Sequence, residues 1–191
     1  MKTILLSLAF CAVITTAIAQ NPLKNILSLN EQVNAMDSKK DIISNISAYN
    51  QSHIFSRWIN ACGLLQTLQN PGALTVFLPP DSAFNQSTSN KLDTAALSKK
   101  KFDIIALLTY HVLPGKVSAK KIAKEIDHGK GLAVFRTISG APLKAQFDGA
   151  GNIVLIDELG GKSTIQQSDL KQRNGLVHLV SAVLVPKFKQ I

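Results

Sequence analysis

The sequence predicts an α+β fold in which helices come first and an antiparallel sheet follows. Three observations carry that expectation. Between Asp41 and His111 the apolar residues recur mostly at three- and four-residue steps, the helical period. Between Leu132 and Val185, short β-rich runs are separated by glycine-containing turns at Ser139-Gly140, Asp148-Gly149-Ala150-Gly151 and Gly160-Gly161. One early β-rich run, Leu74–Leu78, sits among the helices and has to join the later strands. The elements do not alternate as βαβ units.

The first residues read as an export leader. Lys2 supplies a positive start, Ile4 to Ile14 form an apolar core, and Ala17-Ile18-Ala19 gives the small-x-small cleavage pattern. The apolar stretch, roughly 10–14 residues, is too short to span a bilayer as an anchor. Bulky Phe10 before Cys11 argues against lipid attachment at that cysteine. Cleavage after Ala19 would leave enough chain for one domain with a sizeable core. The expected organisation is a leader at 1–19, an N-terminal extension at 20–40 and a single domain at 41–187.

The extension carries a broken apolar stripe of Leu23, Ile26, Leu27, Val33 and Met36. Asp41 is placed to cap a helix whose Ile42, Ile43 and Ile46 share a face. A second helical run follows through Ile54, Phe55, Trp58, Ile59, Cys62 and Leu65, and Asn70-Pro71-Gly72 ends it. Leu74–Leu78 reads as a buried strand stopped by Pro79-Pro80. A further helix is expected from Lys91 to His111, ended by Pro114-Gly115, and a short one near Ala119–Ile126. Strands are expected at Leu132–Ile138, Leu143–Phe147, Ile153–Ile156, Ser163–Gln167 and Leu176–Val185.

The chain carries a net charge of +9, with 6% aromatic residues. No aromatic interleaves with Lys99-Lys100-Lys101 or Lys120-Lys121 in the manner of a single-strand nucleic-acid groove, so nucleic acid is not expected as a partner. Such a surface suits anionic glycans, phospholipid headgroups or acidic proteins. Of the two cysteines, Cys11 leaves with the leader, so Cys62 has no intramolecular partner and reads as a small buried hydrophobe.

Three segments carry a family likeness. Thr75-Val76-Phe77-Leu78-Pro79-Pro80-Asp81-Ser82-Ala83-Phe84 resembles the first signature box of the fasciclin (FAS1) family. Tyr110-His111-Val112-Leu113-Pro114-Gly115 is similar to its Tyr-His motif, and Asn174-Gly175-Leu176-Val177-His178-Leu179-Val180 through Leu184-Val185-Pro186 to its second box. The resemblance covers Asp41 to Pro186. It implies helices packed on a mostly antiparallel β-sheet wedge and a non-enzymatic adhesion or interaction role in a secreted, periplasmic or cell-surface setting. The partner would be a protein or a glycan. Pro80 departs from the small polar residue usual at that position, which makes Asp81 the expected cap of the following helix.

The resemblance also implies partner-contacting positions: Asp169-Leu170, matching an Asp-Ile pair linked to integrin recognition in animal matrix members, and Tyr110-His111. Leu170 stands where the Ile would be. Each also has a structural reading, Asp169 as a turn cap and Tyr110-His111 as a core motif whose effect on a partner would be indirect. His111, at a helix end, is expected to gain from the negative end of the helix dipole and to bond nearby carbonyls.

No cofactor or metal is called for. His53, His111, His128 and His178 show no three- or four-residue spacing on one helix, and His178 reads as a sheet residue of the core. Gly160-Gly161-Lys162-Ser163 lacks the earlier glycine of a phosphate loop and reads as a hairpin turn. An enzyme would need His111, His178 and Asp157 to converge in an open cleft. The alternative to an adhesion module is a carrier holding a small molecule or lipid between helices and sheet.

Overall fold

The structure is a computed structural model and describes residues 36–69, 72–85 and 100–188. The leader, most of the extension and residues 86–99, including the first part of the helix expected from Lys91, lie outside the described residues.

Helix α1 (Ile42–Ala48) starts where the carboxylate of Asp41 accepts the Ser44 N–H at 2.7 Å. Helix α2 (His53–Cys62) is shorter than its apolar period suggests, because Gly63 takes the left-handed conformation (φ 74°) and closes it. The remainder of that run forms a separate short helix, α3 (Leu65–Gln69). Strand β1 (Leu74–Leu78) leads into α4 (Asp81–Asn85), and α5 (Lys101–Tyr110) runs directly into a strand the sequence reading missed, β2 (Val112–Pro114). Helix α6 (Ala119–His128) then precedes β3 (Ala133–Arg136), β4 (Pro142–Phe147), β5 (Ile153–Ile156), β6 (Lys162–Gln172) and β7 (Gly175–Val180).

The strands form one seven-stranded sheet in the order β2-β1-β7-β6-β5-β4-β3. Only the β1–β7 pairing is parallel; the others are antiparallel, so the early strand does enter the later sheet. Strand β7 stops at Val180, short of the expected Val185, and β6 runs on to Gln172 through two register shifts.

Residues paired across strands share a face, and the register sorts the sheet into two sides. Thr75, Leu113, Leu176 and Lys171 fall on one, with Phe77 and His178 further along. That side is covered by α6 through Ile122 and Ile126, over a core that includes Phe77, Tyr110, Val117, Leu143 and Leu155. The opposite side carries Val76, Leu78 and Val177 beneath Ile42, Ile46, Phe55, Ile59 and Leu107 of the other helices. Strand β1 is thus covered on both faces, which is why Leu74–Leu78 is apolar apart from Thr75, whose buried hydroxyl is bonded to the Gly115 carbonyl and the Val117 N–H. Phe77 and Phe84 belong to different cores across the corner that Pro79-Pro80 makes.

Asp81 is the first residue of α4, but its carboxylate reaches across to α2, accepting the N–H groups of His53 at 3.0 Å and Ile54 at 2.8 Å. The expectation that it serves its own helix is therefore corrected. Ser52, at the α2 N-cap, instead donates its hydroxyl to the Pro79 carbonyl at 2.9 Å. The two exchanges lock α2 onto the β1–α4 corner.

Candidate functional site

Asp169 lies at a register shift in β6, between Gln167 and Leu170, with φ of +62°. Asp tolerates that conformation better than most side chains because its short polar group bonds locally. The half-buried carboxylate accepts the Ala119 N–H at 3.1 and 3.3 Å, on the first turn of α6. Its backbone N–H donates to His178 Nδ1 at 3.1 Å, and His178 Nε2 in turn donates to the Val117 carbonyl at 2.9 Å. Those partners assign a neutral imidazole with its proton on Nε2. Burial lowers the His178 pKa, while the Val117 carbonyl and the Asp169 charge pull it back. The ring stacks on Phe77 at 5.5 Å. Bulge, helix start and sheet are joined through this one chain of bonds.

Leu170, the next residue, packs against the core on the other side of the sheet. Tyr110 and His111 are both wholly buried. The Tyr110 hydroxyl donates to the Pro142 carbonyl at 2.9 Å, and burial drives its pKa upward. His111 donates from Nδ1 to the Leu107 carbonyl at 2.8 Å and accepts the Leu184 N–H on Nε2 at 3.0 Å. Its ring meets Phe55 edge-on, with centroids 5.4 Å apart. Burial brings its pKa down to about 4, so the ring is neutral at physiological pH. The carbonyl bond expected of a helix-terminal histidine is present, but the expected gain of an imidazolium from the helix dipole is not available to a neutral ring. The four residues singled out from sequence do not form one patch.

Sequence reasoning missed two features. Asp157 is buried and accepts three backbone N–H groups: Leu159 at 2.9 Å, Gly161 at 2.7 Å and Val185 at 3.0 Å. It closes the β5–β6 turn and anchors the segment after β7. The signal was an Asp four residues before the second glycine of a Gly-Gly turn. His111, His178 and Asp157 are all buried with their polar atoms bonded to backbone, so they do not open onto a common cleft.

The second missed feature is a groove of about 550 Å³ lined by Phe102, Ala106, Pro142, Pro186 and Phe188, with Asp103, Glu158 and Lys187 among its polar residues. Phe102, on the first turn of α5, is 77% exposed. The Glu158 carboxylate accepts the Lys187 N–H at 2.9 Å, which holds the C-terminal segment as one wall. Among the described residues no three His, Cys, Asp or Glu side chains gather as metal ligands, and no helix is long and apolar enough to cross a membrane.

Fold and sequence now identify the class of protein. The family model for the fasciclin domain matches residues 50–186, and the chain belongs to that family. The fold agrees with the structure of a FAS1 domain pair from the insect cell adhesion molecule Fasciclin I, with a TM-score of 0.64, 17% identity, 76% of this chain covered and 51% of that one. Among individual proteins, the chain is similar to Protein sll1483 of Synechocystis, 26% identical over 67% of this chain and 63% of that protein. It is also similar to human Periostin, 27% identical over 69% of this chain and 14% of that protein. Immunogenic protein MPB70 of Mycobacterium bovis is 30% identical over 64% of this chain and 54% of its own length. The chain thus matches less than two thirds of each of these relatives.

Proposed function

We propose that this chain is an exported adhesion or interaction module that meets a protein or glycan partner through its surface and performs no chemistry. The observation that carries this reading is the commitment of its buried polar groups. His111, His178 and Asp157 are all used in holding elements together, and the exterior, rich in lysine, is what remains to meet a partner. Fasciclin I, the insect protein of similar fold, is a cell adhesion molecule, which supports the same reading. Asp169-Leu170 is the proposed contact region, with Tyr110-His111 as buried framework elsewhere in the fold.

The test is attachment of cells and immobilised glycans to the chain from Gln20 onward, at low and near-physiological salt. Specific attachment survives salt and weakens when Asp169→Asn removes the charge. Attachment that disappears as salt rises to ~0.15 M reduces the function to diffuse attraction by a basic surface.

The groove favours a second reading, a carrier of a small apolar molecule. Its volume lies within the usual range for ligand sites, and its walls combine apolar side chains with a few polar groups. Native mass spectrometry of the purified protein checks this: a retained apolar mass, displaced in an Ala106→Trp variant that fills the groove, would favour the carrier.

A further inference from the structure

We infer that the end of the sheet where β6 turns into β7 is a docking surface for a sulfated polysaccharide. The inference rests on the reading of the chain as an interaction module, and it names both the partner and the place. The β6–β7 turn puts Arg173 at the tip, and the Arg173 N–H donates to the Lys40 carbonyl at 2.8 Å, which brings the turn before α1 alongside. Arg173 and Lys116 line one concavity of about 470 Å³ together with Gln69, Gly72, Ala73 and Asn174. Lys171 projects on the sheet face shared with Leu176 and Thr75. Thr75 bonds both the Gly115 carbonyl and the Val117 N–H, and so holds the segment bearing Lys116 against that face. Lys120 follows directly on Ala119, whose N–H Asp169 accepts.

Lys116 and Arg173 thus share one concavity, and Lys40, Lys171 and Lys120 lie on the segments joined to it by the backbone bonds and register just described; all five are exposed. Three nearby carboxylates, Asp37, Asp41 and Asp169, offset part of this charge and leave a net excess of two cations. Asp37 accepts the Lys39 N–H, Asp41 accepts the Ser44 N–H and pairs with Arg173 at 3.4 Å, and Asp169 accepts the Ala119 N–H. Arg173 keeps its side chain 68% exposed even in that pair, so solvent screening leaves it available to a stronger anion.

The chemistry of the corner selects the class of polyanion. Among its described residues the concavity has no aromatic wall on which a base could stack, the feature that single-stranded nucleic acid needs. Nor do its Gln69, Gly72, Ala73 and Asn174 present the large apolar side chains that insert among acyl chains at a membrane surface. A chain of sugars carrying sulfates at intervals fits a concavity flanked by a guanidinium and an ammonium, with a primary amide beside it for hydroxyls. Arg presents a planar fork for oxyanions and Lys a point charge.

The experiment compares two double variants on immobilised heparin. Lys116→Ala with Arg173→Ala removes two cations from the corner. Lys144→Ala with Lys162→Ala removes two from the far end of the sheet, on strands β4 and β6, and serves as the charge-matched control. The corner pair is expected to weaken binding about tenfold or more at ~0.15 M salt and to lower the slope of log affinity against log salt by about two. The control pair is expected to change affinity less than about threefold, in line with loss of distant, screened charge. Equal losses in the two variants, or no heparin binding by the unaltered chain at ~0.15 M salt, overturn the inference. So does binding to single-stranded DNA or phosphatidylserine vesicles as tight as to heparin. Circular dichroism of both variants confirms the fold. Cell attachment that persists while heparin binding fails sinks this surface alone and leaves the interaction module standing; loss of both sinks both.

Discussion

Asp169 combines a backbone cost with an acceptor for the first N–H of α6, beside the Ser118 cap. A left-handed residue without a locally bonding side chain costs roughly 1–2 kcal/mol, and loss of a helix-start acceptor costs about 1 kcal/mol. Asp169→Ala incurs both, so about 2 kcal/mol of stability should disappear in urea unfolding. Asp169→Asn keeps a carbonyl acceptor and the tolerance for φ of +62°, and should lose less than about 0.5 kcal/mol. The pair of variants is needed for any attachment assay, because the alanine loosens α6 while the asparagine removes only the charge. Gly175 is constrained differently. Its φ is not in the left-handed region, but a Cβ there would lie 1.9 Å from the Leu74 carbonyl oxygen and 2.9 Å from the Ile42 side chain. The obstacle is backbone at the start of the β1–β7 pairing, which cannot move cheaply. Gly175→Ala should therefore cost about 3 kcal/mol or more, read as a lowered urea midpoint or as failure to accumulate soluble protein.

At the scale of elements, two buried histidines act as rivets. His111 ties the end of α5 to Leu184, and His178 ties β7 to Val117 and to the Asp169 bulge. Each uses one ring nitrogen as an acceptor, which a proton would abolish. The folded pKa of both is depressed, to about 4 for His111. Between the unfolded value of ~6.5 and the folded one, the unfolded chain binds more protons. Their contribution is full above pH ~6.5 and is lost as pH falls through the folded pKa. For His111 alone the depression amounts to about 3 kcal/mol. Urea midpoints at pH 7.5 and 4.5 should differ strongly in the unaltered chain and less in His111→Asn, whose lower stability at pH 7.5 is the cost of the missing ring. Equal pH dependence in the two would remove His111 from the acid response. This element also shows what sequence could reveal. The Tyr-His motif and the Asn-Gly pair mark element junctions because their local chemistry is restrictive, and helix starts such as Asp41 follow from capping alone. The bridge from Asp81 to α2, the trio of bonds at Asp157 and the exposure of Phe102 depend on which distant segments the fold brings together. Periodicity within one element carries no such information. The break at Gly63 was legible, since glycine favours a helix end, but the apolar spacing on both sides outweighed it.

At the scale of the whole molecule, the sheet is a shared wall between two cores. Trp58, the single tryptophan, packs against the core on the side of α1 and α2 and meets Phe84 edge-on, with ring centroids 5.3 Å apart. Leu143 is wholly buried in the other core, beneath α6. The two sides communicate through β1 and β7, whose residues alternate between them: Val76 and Val177 on one, Phe77 and Val180 on the other. Loss of packing on either side exposes strands on which the other side is built, so the domain should unfold as one unit. Leu143→Ala tests this from a distance. Truncation of a buried leucine costs about 2–5 kcal/mol, and Trp58 makes no part of that core. The tryptophan emission midpoint in urea should fall by the same denaturant increment as the far-ultraviolet circular dichroism midpoint. Coincident shifts make the sheet the cooperative spine of the domain. An unmoved Trp58 transition alongside a lowered dichroism midpoint would instead divide the domain into two independently melting layers, and the half under α6, with its Asp169 acceptor, would be the weaker.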